Sequence, residues 1–256
     1  MFGQINHKLG ITPKSMRLVS WNLAHQCREA PIPSFFAEAV SLLAPDLITL
    51  NEYVHGDSRG PLIAELAELG LRHLEVSHQL NGHNQVLVAS RFPIERGELS
   101  GPSTANLGGE SNFLHVRIPA VNLEFVGLRV PSYSGATLAD YWIKLVSIVQ
   151  SCEGRPIVFM GDLNTDPDQP RRTTARYLLQ LRNNGWSVPN AEGQWSFVSK
   201  NGIGTRIDHA IVSAGLSVST ARYVATAGSV SLAAPNRHGA VSDHAALVLE
   251  LATSAA

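Results

Sequence analysis

Acidic, amide and imidazole side chains stand at the ends of short apolar runs along this chain. Asn22 closes VSWN, Glu52 sits in LNEY, Asp162 and Asn164 in GDLN, Asp208 in RIDH, and Asp243 with His244 in SDH. A hard cation such as magnesium takes oxygen ligands, keeps several waters, and is held by one or two carboxylates together with phosphate oxygens. Glu52 offers a carboxylate for such an ion, Asn22 a neutral oxygen, and Asp243 a second carboxylate acting directly or through water. Asp162 and Asn164, two residues apart after an apolar run, fall on one side of the chain and can share one water or one phosphate oxygen. Aspartate there orients a nucleophilic water, and asparagine stabilises charge developing on phosphorus. A histidine serving as acid, base or cationic phosphate ligand needs a carboxylate to fix its tautomer, and Asp208 is the candidate partner of His244.

Each of these residues has a plainer reading when taken alone. Glu52 reads as a strand-end charge, Asn22 as a turn former, Asp162 with Asn164 as a capping turn, and His244 as a packed core or rim residue. Asp166 and Asp168 need only turn chemistry, and His209 points away from Asp208 along its strand as a structural residue. Metal-assisted hydrolysis of a phosphoester is the chemistry that uses them together.

The elements that must position these groups are legible from apolar periodicity. MRLVSWN, DLITLNE, NQVLVAS, NFLHVRI, NLEFVGLRV, PIVFMGD, RIDHAIV and AALVLEL are short apolar runs bounded by turn residues, and they predict strands. Helical patterns run from Ser34 to Leu43 before Pro45, from Pro61 to Leu69 before Gly70, and after Thr137, where Tyr141, Leu145, Ile148 and Val149 share a face. Thr137 and Asp140 have the spacing of a capping box for that last helix. Strands and helices intermix throughout, which predicts an α/β architecture with several strands covered on both faces. The polar groups fall at strand ends, where loops converge and ligands gather in open α/β sheets.

Bulk properties narrow the class. The 256 residues are 44% hydrophobic and 16% charged, enough to bury a large core, with no repeat and no low-complexity tract. The expectation is one domain over 16–251, with 1–15 and 252–256 as tails, because the longest irregular stretch, Val188 to Thr205, is too short and mixed for a linker. No apolar run is long enough to span a membrane and the N-terminus lacks a signal-peptide pattern, so a cytoplasmic protein is expected. The formal charge of −1 argues against coating nucleic acid through clustered cations. Cys27 and Cys152 lack metal-knuckle spacing and read as free thiols.

In this order, VSWN, LNEY, SRFPI, GDLN, RIDHAIV and SDH resemble the endonuclease/exonuclease/phosphatase superfamily, which includes deoxyribonuclease I, exonuclease III-like abasic-site nucleases, neutral sphingomyelinases and inositol polyphosphate phosphatases. The resemblance spans nearly the whole chain. It implies a four-layer sandwich of two packed mixed β-sheets flanked by helices, with a Mg2+ or Mn2+ site at one edge. Carried over by motif, it implies metal binding at Asn22 and Glu52, handling of the attacking water by Asp162 and Asn164, assistance by Asp243, and orientation of His244 by Asp208. The implied substrate is a phosphodiester, with nucleic acid among the candidates, ahead of a phosphomonoester on a small molecule.

Two positions depart from the family pattern. In VGLRVPSYSG, Arg129 stands where the family usually has His or Tyr. Arginine stays protonated, so it clamps a phosphate but cannot protonate a leaving oxygen. His25, His55 and Tyr133 are the candidates for the missing proton donor, and metal-bound water is another. Ala24 stands where abasic-site nucleases of the family tend to carry Asp, which weakens a DNA-repair assignment. Trp195 shapes the groove or packs on the core, and His238 sits in a loop that either touches substrate or is plain surface. Two readings from other classes remain: a catalytically weak binding module, motivated by Arg129, and an interaction protein that binds no metal.

Overall fold

The computed structural model describes residues 15–25, 32–80, 83–103, 108–132, 134–169 and 173–252. The expected tails, apart from Ser15 and Ala252, lie outside these residues, as do Cys27 and Tyr133.

One sheet has six strands: β1 (Ser15–Asn22), β2 (Leu47–Tyr53), β3 (His73–Val76), β4 (Gln85–Ser90), β12 (Ser217–Val224) and β15 (Ala246–Ala252), in the order β12-β15-β1-β2-β4-β3. A second sheet has the order β11-β8-β7-β6-β5, from β5 (Glu95–Arg96), β6 (Phe113–Ile118), β7 (Leu123–Arg129), β8 (Ile157–Asp162) and β11 (Asp208–Val212). Two short ribbons complete the strands, β9 (Phe197–Val198) with β10 (Gly204–Thr205) and β13 (Thr226–Ala227) with β14 (Val230–Ser231). The helices are α1 (Phe36–Leu43), α2 (Gly60–Glu68), α3 (Gly108–Ser111), α4 (Gly135–Ser151) and α5 (Ala175–Asn183).

Strand period sorts the side chains into three cores. Leu18, Leu47, Val88, Phe125, Met160 and Leu249 meet between the two sheets. Their neighbours in sequence point outward: Val19, Ile48 and Val248 pack under Phe36 and Val40 of α1 and Leu62 and Leu66 of α2. On the other side, Leu128, Phe159 and Ile211 pack under Tyr141, Trp142 and Leu145 of α4 and Leu178 and Leu181 of α5. The result is the expected four-layer sandwich of two mixed sheets flanked by helices. Among the described residues no helix is long and apolar enough to cross a membrane.

The start of α4 corrects one expectation. The helix begins at Gly135 with extended Ser134 before it, and no side chain caps it. Thr137 and Asp140 therefore lie inside the first turns and do not form a capping box. Asp140 instead pairs with Lys144 one turn on, at 2.8 Å.

Two glycines set how closely strands approach. A Cβ on Gly127 would lie 2.3 Å from Thr49 Oγ1 of the facing sheet, and one on Gly161 would lie 1.7 Å from the backbone oxygen of Leu128. Gly161→Ala must push β8 away from β7 one residue before Asp162. We expect it to destabilise the fold by roughly 3 kcal/mol or more, read as a shift in denaturant midpoint. An alanine variant as stable as the parent would show that the approach of β7 to β8 is not what fixes this edge.

Candidate active site

Strand directions bring the predicted residues to one edge. β1 and β2 run parallel with Asn22 opposite Asn51, and β7 and β8 run parallel with Arg129 opposite Asp162. β11 returns antiparallel to β8 with Asp208 opposite Asp162, and the turn before β15 carries Asp243 and His244. A cleft of about 860 Å³ opens there, lined by His25, Glu52, Arg129, Asp162, Asn164, Asp243 and His244 among others.

Three polar ties cross from one sheet to the other at this edge. Asn22 Nδ2 donates to Asp162 Oδ2 at 3.0 Å, His244 Nδ1 meets Asp208 Oδ2 at 2.9 Å, and Arg129 Nε lies 2.8 Å from Glu52 Oε1. Arg129 Nε is also 3.6 Å from Asp162 Oδ2, so its guanidinium lies between two carboxylates. Among the described residues the buried Nε–H is aligned with no acceptor, and Nη2 reaches Ser132 Oγ only at 3.4 Å. The other oxygen of Glu52 meets His25 Nε2 at 3.0 Å.

Asp162 is fixed by three donors. Its Oδ1 accepts from the Asn164 backbone at 2.9 Å, and its Oδ2 accepts from the side chains of Asn22 and, at 3.4 Å, Asn164. Burial, and next the charge of Asp208, push its carboxyl above the usual carboxylate range, against the pull of His244 and Arg129. Burial disfavours the charged form of His244, but the charge and hydrogen bond of Asp208, with Asp162 and Asp243 nearby, outweigh it and raise the imidazole to about 9. An imidazolium is therefore the form this pocket favours, poised as a cation toward the cleft.

Backbone strain concentrates at the same edge. Eight described non-glycine residues have positive φ, and six of them line the cleft: Ala24, His25, Glu52, Asn164, Asn236 and Arg237. Asparagine tolerates this region, but Glu52 at φ 56° does not adopt it freely. It sits where the pairing of β2 with β4 shifts register between Leu50 and Tyr53, so the irregularity turns its carboxylate into the cleft.

A model of the Endonuclease/Exonuclease/phosphatase family matches residues 19–244, from β1 through His244. The chain belongs to this family. Its members are generally phosphoester hydrolases. No curated protein sequence matches the chain. Among solved structures, it is similar to an endonuclease/exonuclease/phosphatase from Beutenbergia cavernae DSM 12333, at 19% identity and a TM-score of 0.69, covering 95% of this chain and 73% of that one. It is similar also to an AP endonuclease from Archaeoglobus fulgidus, at 16% identity and a TM-score of 0.67, covering 91% and 98%. A third is the 3' phosphatase NExo from Neisseria bound to product DNA hairpin, at 17% identity and a TM-score of 0.63, again covering 91% and 98%.

Within this family member, the predicted residues are not all equivalent. Glu52, Arg129, Asp162, Asn164, Asp243 and His244 face the cleft, whereas Asn22 and Asp208 are fully buried beneath its floor. Asn22 Oδ1 accepts from the Ala24 backbone at 2.8 Å, so one of its lone pairs is committed. His25 enters the cleft, but His55 and His238 do not line it, and His55 Nδ1 instead meets Tyr53 OH at 3.0 Å. His209 is buried with Nε2 between the carbonyls of Thr165 and Arg206, and Trp195 packs over Gly204 outside the cleft wall. Phe197, tilted against the His244 ring at a centroid distance of 5.0 Å, forms that wall instead.

Several contributors were not singled out by the sequence. Ser242 donates to the Asn22 carbonyl at 2.6 Å and accepts from the His244 backbone at 2.9 Å, stitching β1 to the SDH turn. Ser196 Oγ accepts from the backbone of Ile207 and of Asp208, which sets the entry to β11. Arg237 enters the cleft wall with Nη1 donating to the Ala24 carbonyl at 2.8 Å.

The fold family implies a divalent metal, and the donors at the Glu52 end of the cleft are carboxylate and amide oxygens suited to a hard cation. The position of the Arg129 guanidinium between Glu52 and Asp162 shows that this point favours positive charge. A second group, Glu98, His115 and Glu124, also has ligand atoms within 4.8 Å of one another. It lies toward the opposite end of β7, and Arg155 already bonds Glu124 at 2.9 Å and Glu98 at 2.6 Å, so a cation is built in there. Burial keeps His115 below its ordinary pKa despite Glu124 beside it. That cluster is a structural ion network.

Proposed function

We propose that this protein is a Mg2+- or Mn2+-dependent phosphodiesterase acting by in-line attack of water, with nucleic acid among its substrates. The observation that carries the proposal is the meeting, across two sheets, of Glu52, Arg129, Asp162 and the Asp208–His244 pair in one open cleft. Glu52 and Asp243, with Asn22 at the floor, would hold the ion. When bound, the ion acidifies water and neutralises phosphoryl charge.

Asp162 accepts the proton of the attacking water, and Asn164, which also bonds the Val130 carbonyl at 2.7 Å, fixes its orientation. Arg129 and the His244 imidazolium stabilise charge on the transferring phosphoryl group. Arginine donates no proton to a leaving oxygen, so the substrate carries a leaving group that needs little protonation, or His25 at the cleft edge supplies the proton. The cleft also offers Arg237 and the side chain of Ile203, which is 64% exposed. A cleft that offers both a cation and an apolar surface suits a nucleotide-type diester, with a second charge and a flat base, better than a phosphosugar.

Hydrolysis of bis(p-nitrophenyl) phosphate, supercoiled DNA and single-stranded DNA, each with Mg2+, with Mn2+ and with EDTA, tests the proposal. We expect metal-dependent turnover and a rise in Tm on adding metal to EDTA-treated protein. No turnover on any of the three, with no metal-induced rise in Tm, would sink it.

A further inference from the structure

Both carboxylate oxygens of Glu52 are already engaged, Oε1 by Arg129 at 2.8 Å and Oε2 by His25 at 3.0 Å. The residue is buried, so the pairing replaces water that the carboxylate has lost, and removing the cation alone would strand a buried charge. A divalent ion that coordinates Glu52 must displace or share one of these contacts. His25 is 51% exposed and is held otherwise by the Asn84 side-chain amide at its Nδ1, whereas Arg129 is only 12% exposed and has Asp162 on its other side.

The guanidinium is nevertheless loosely held. Among the described residues its Nε–H has no aligned acceptor, and its side-chain hydrogen bond to Ser132 is long. Guanidinium carries five N–H donors in a planar fork, and a phosphoryl group satisfies two of them at once. An anion in the cleft therefore offers Arg129 a better partner than Glu52 does, and releases Glu52 as it does so.

Resting on the metal-hydrolase reading above, we propose that Arg129 is a built-in counter-ion that holds down the affinity of Glu52 for a divalent cation, so that cation and phosphate bind this cleft synergistically. Arg129 is in this respect a positioning residue for Glu52, in addition to its contact with phosphate. Linkage makes the effect reciprocal: whatever factor phosphate gives to metal affinity, metal gives to phosphate affinity. Phosphate oxygens that ligate the ion directly would also produce synergy, so the sign of the effect of Arg129 on the metal alone is the discriminating quantity.

The test is calorimetric titration of EDTA-stripped protein with Mg2+, with and without inorganic phosphate, for wild type, Arg129→Met and Arg129→Lys. In wild type, phosphate is expected to tighten Mg2+ binding about tenfold. In Arg129→Met, Mg2+ alone is expected to bind several-fold more tightly than in wild type, with a smaller gain from phosphate. Arg129→Lys keeps the charge beside Glu52 and is expected to restore the wild-type affinity for Mg2+ alone. Mg2+ binding to Arg129→Met that is unchanged or weaker than wild type overturns the inference, as does wild type without synergy. If Arg129→Met does not fold, Arg129→Gln, which keeps a donor for Ser132, is read against the same two outcomes. Wild type that binds no Mg2+ with or without phosphate, and hydrolyses nothing, instead overturns the function on which the inference rests.

Discussion

Asp162→Asn is expected to lower kcat on bis(p-nitrophenyl) phosphate by about a thousandfold while leaving Tm in EDTA equal to that of the parent or higher. The chemical loss follows from removing the group that, in the proposed mechanism, takes the water proton and fixes its approach, the scale seen when a positioned base or charge stabiliser is deleted. The stability follows from the surroundings. The carboxylate is buried, the charge of Asp208 acts against it, and its pKa is raised for those two reasons. A neutral isostere relieves both, at the cost of presenting an amide to the donors of Asn22 and Asn164. Turnover within a few-fold of wild type would remove Asp162 from the chemistry and with it the proposed mechanism.

The second large effect is at Asp208, which never reaches the cleft. Asp208→Asn is expected to cut kcat/KM at pH 7.5 by about a hundredfold, because an orienting carboxylate behind a histidine sets both its tautomer and its charge. Its stability signature is separate and has a definite sign. The folded pKa of His244 is raised to about 9 from 6.5, so the Asp208–His244 pair contributes stability that is complete below pH 6.5 and is lost as pH rises through about 9. Wild type in EDTA should therefore lose a few kcal/mol between pH 6.5 and pH 9.5 from this pair, read as denaturant midpoints. Asp208→Asn should lack that loss. An identical pH slope in the variant would mean that the pair is not charged in the folded protein.

Strand reading succeeded where apolar runs were strong, as for β1, β7 and β8, because burial on both faces leaves few polar residues in them. It passed over β12, SVSTARYV, an edge strand on which polar side chains face out and no apolar run forms. It also passed over α5, whose Tyr177, Leu178 and Leu181 pack against the α4 layer while the rest is polar. The capping box at Thr137 misplaced the start of α4 because spacing alone does not show that the chain turns into the helix at Gly135.

The candidate site was legible as residue types at strand ends, and its geometry was not. Nothing in LNEY announces that Glu52 takes a left-handed backbone conformation, since that is set by the bulge against β4. Nothing in VSWN says that Asn22 points its amide across to Asp162, which depends on how the second sheet stacks on the first. Ser196, Ser242 and Arg237 act through backbone groups brought near only by the fold, so their types, even that of Ser242 inside the SDH motif, do not reveal what they do.

Glu52 lies in one sheet and His244 in the turn that leads into its β15, whereas Arg129, Asp162 and Asp208 belong to the other sheet, and side-chain ties span the gap at the edge. The spacing between the two halves is therefore gauged by the layer of Leu47, Val88, Leu114, Phe125, Met160 and Leu249 that separates the sheets. Adding or removing a methylene there changes the aperture across which a phosphate must be gripped, without touching any residue that meets it. Substrate preference in this chain can thus drift through its interior, as a vice is adjusted by its screw and not by its jaws.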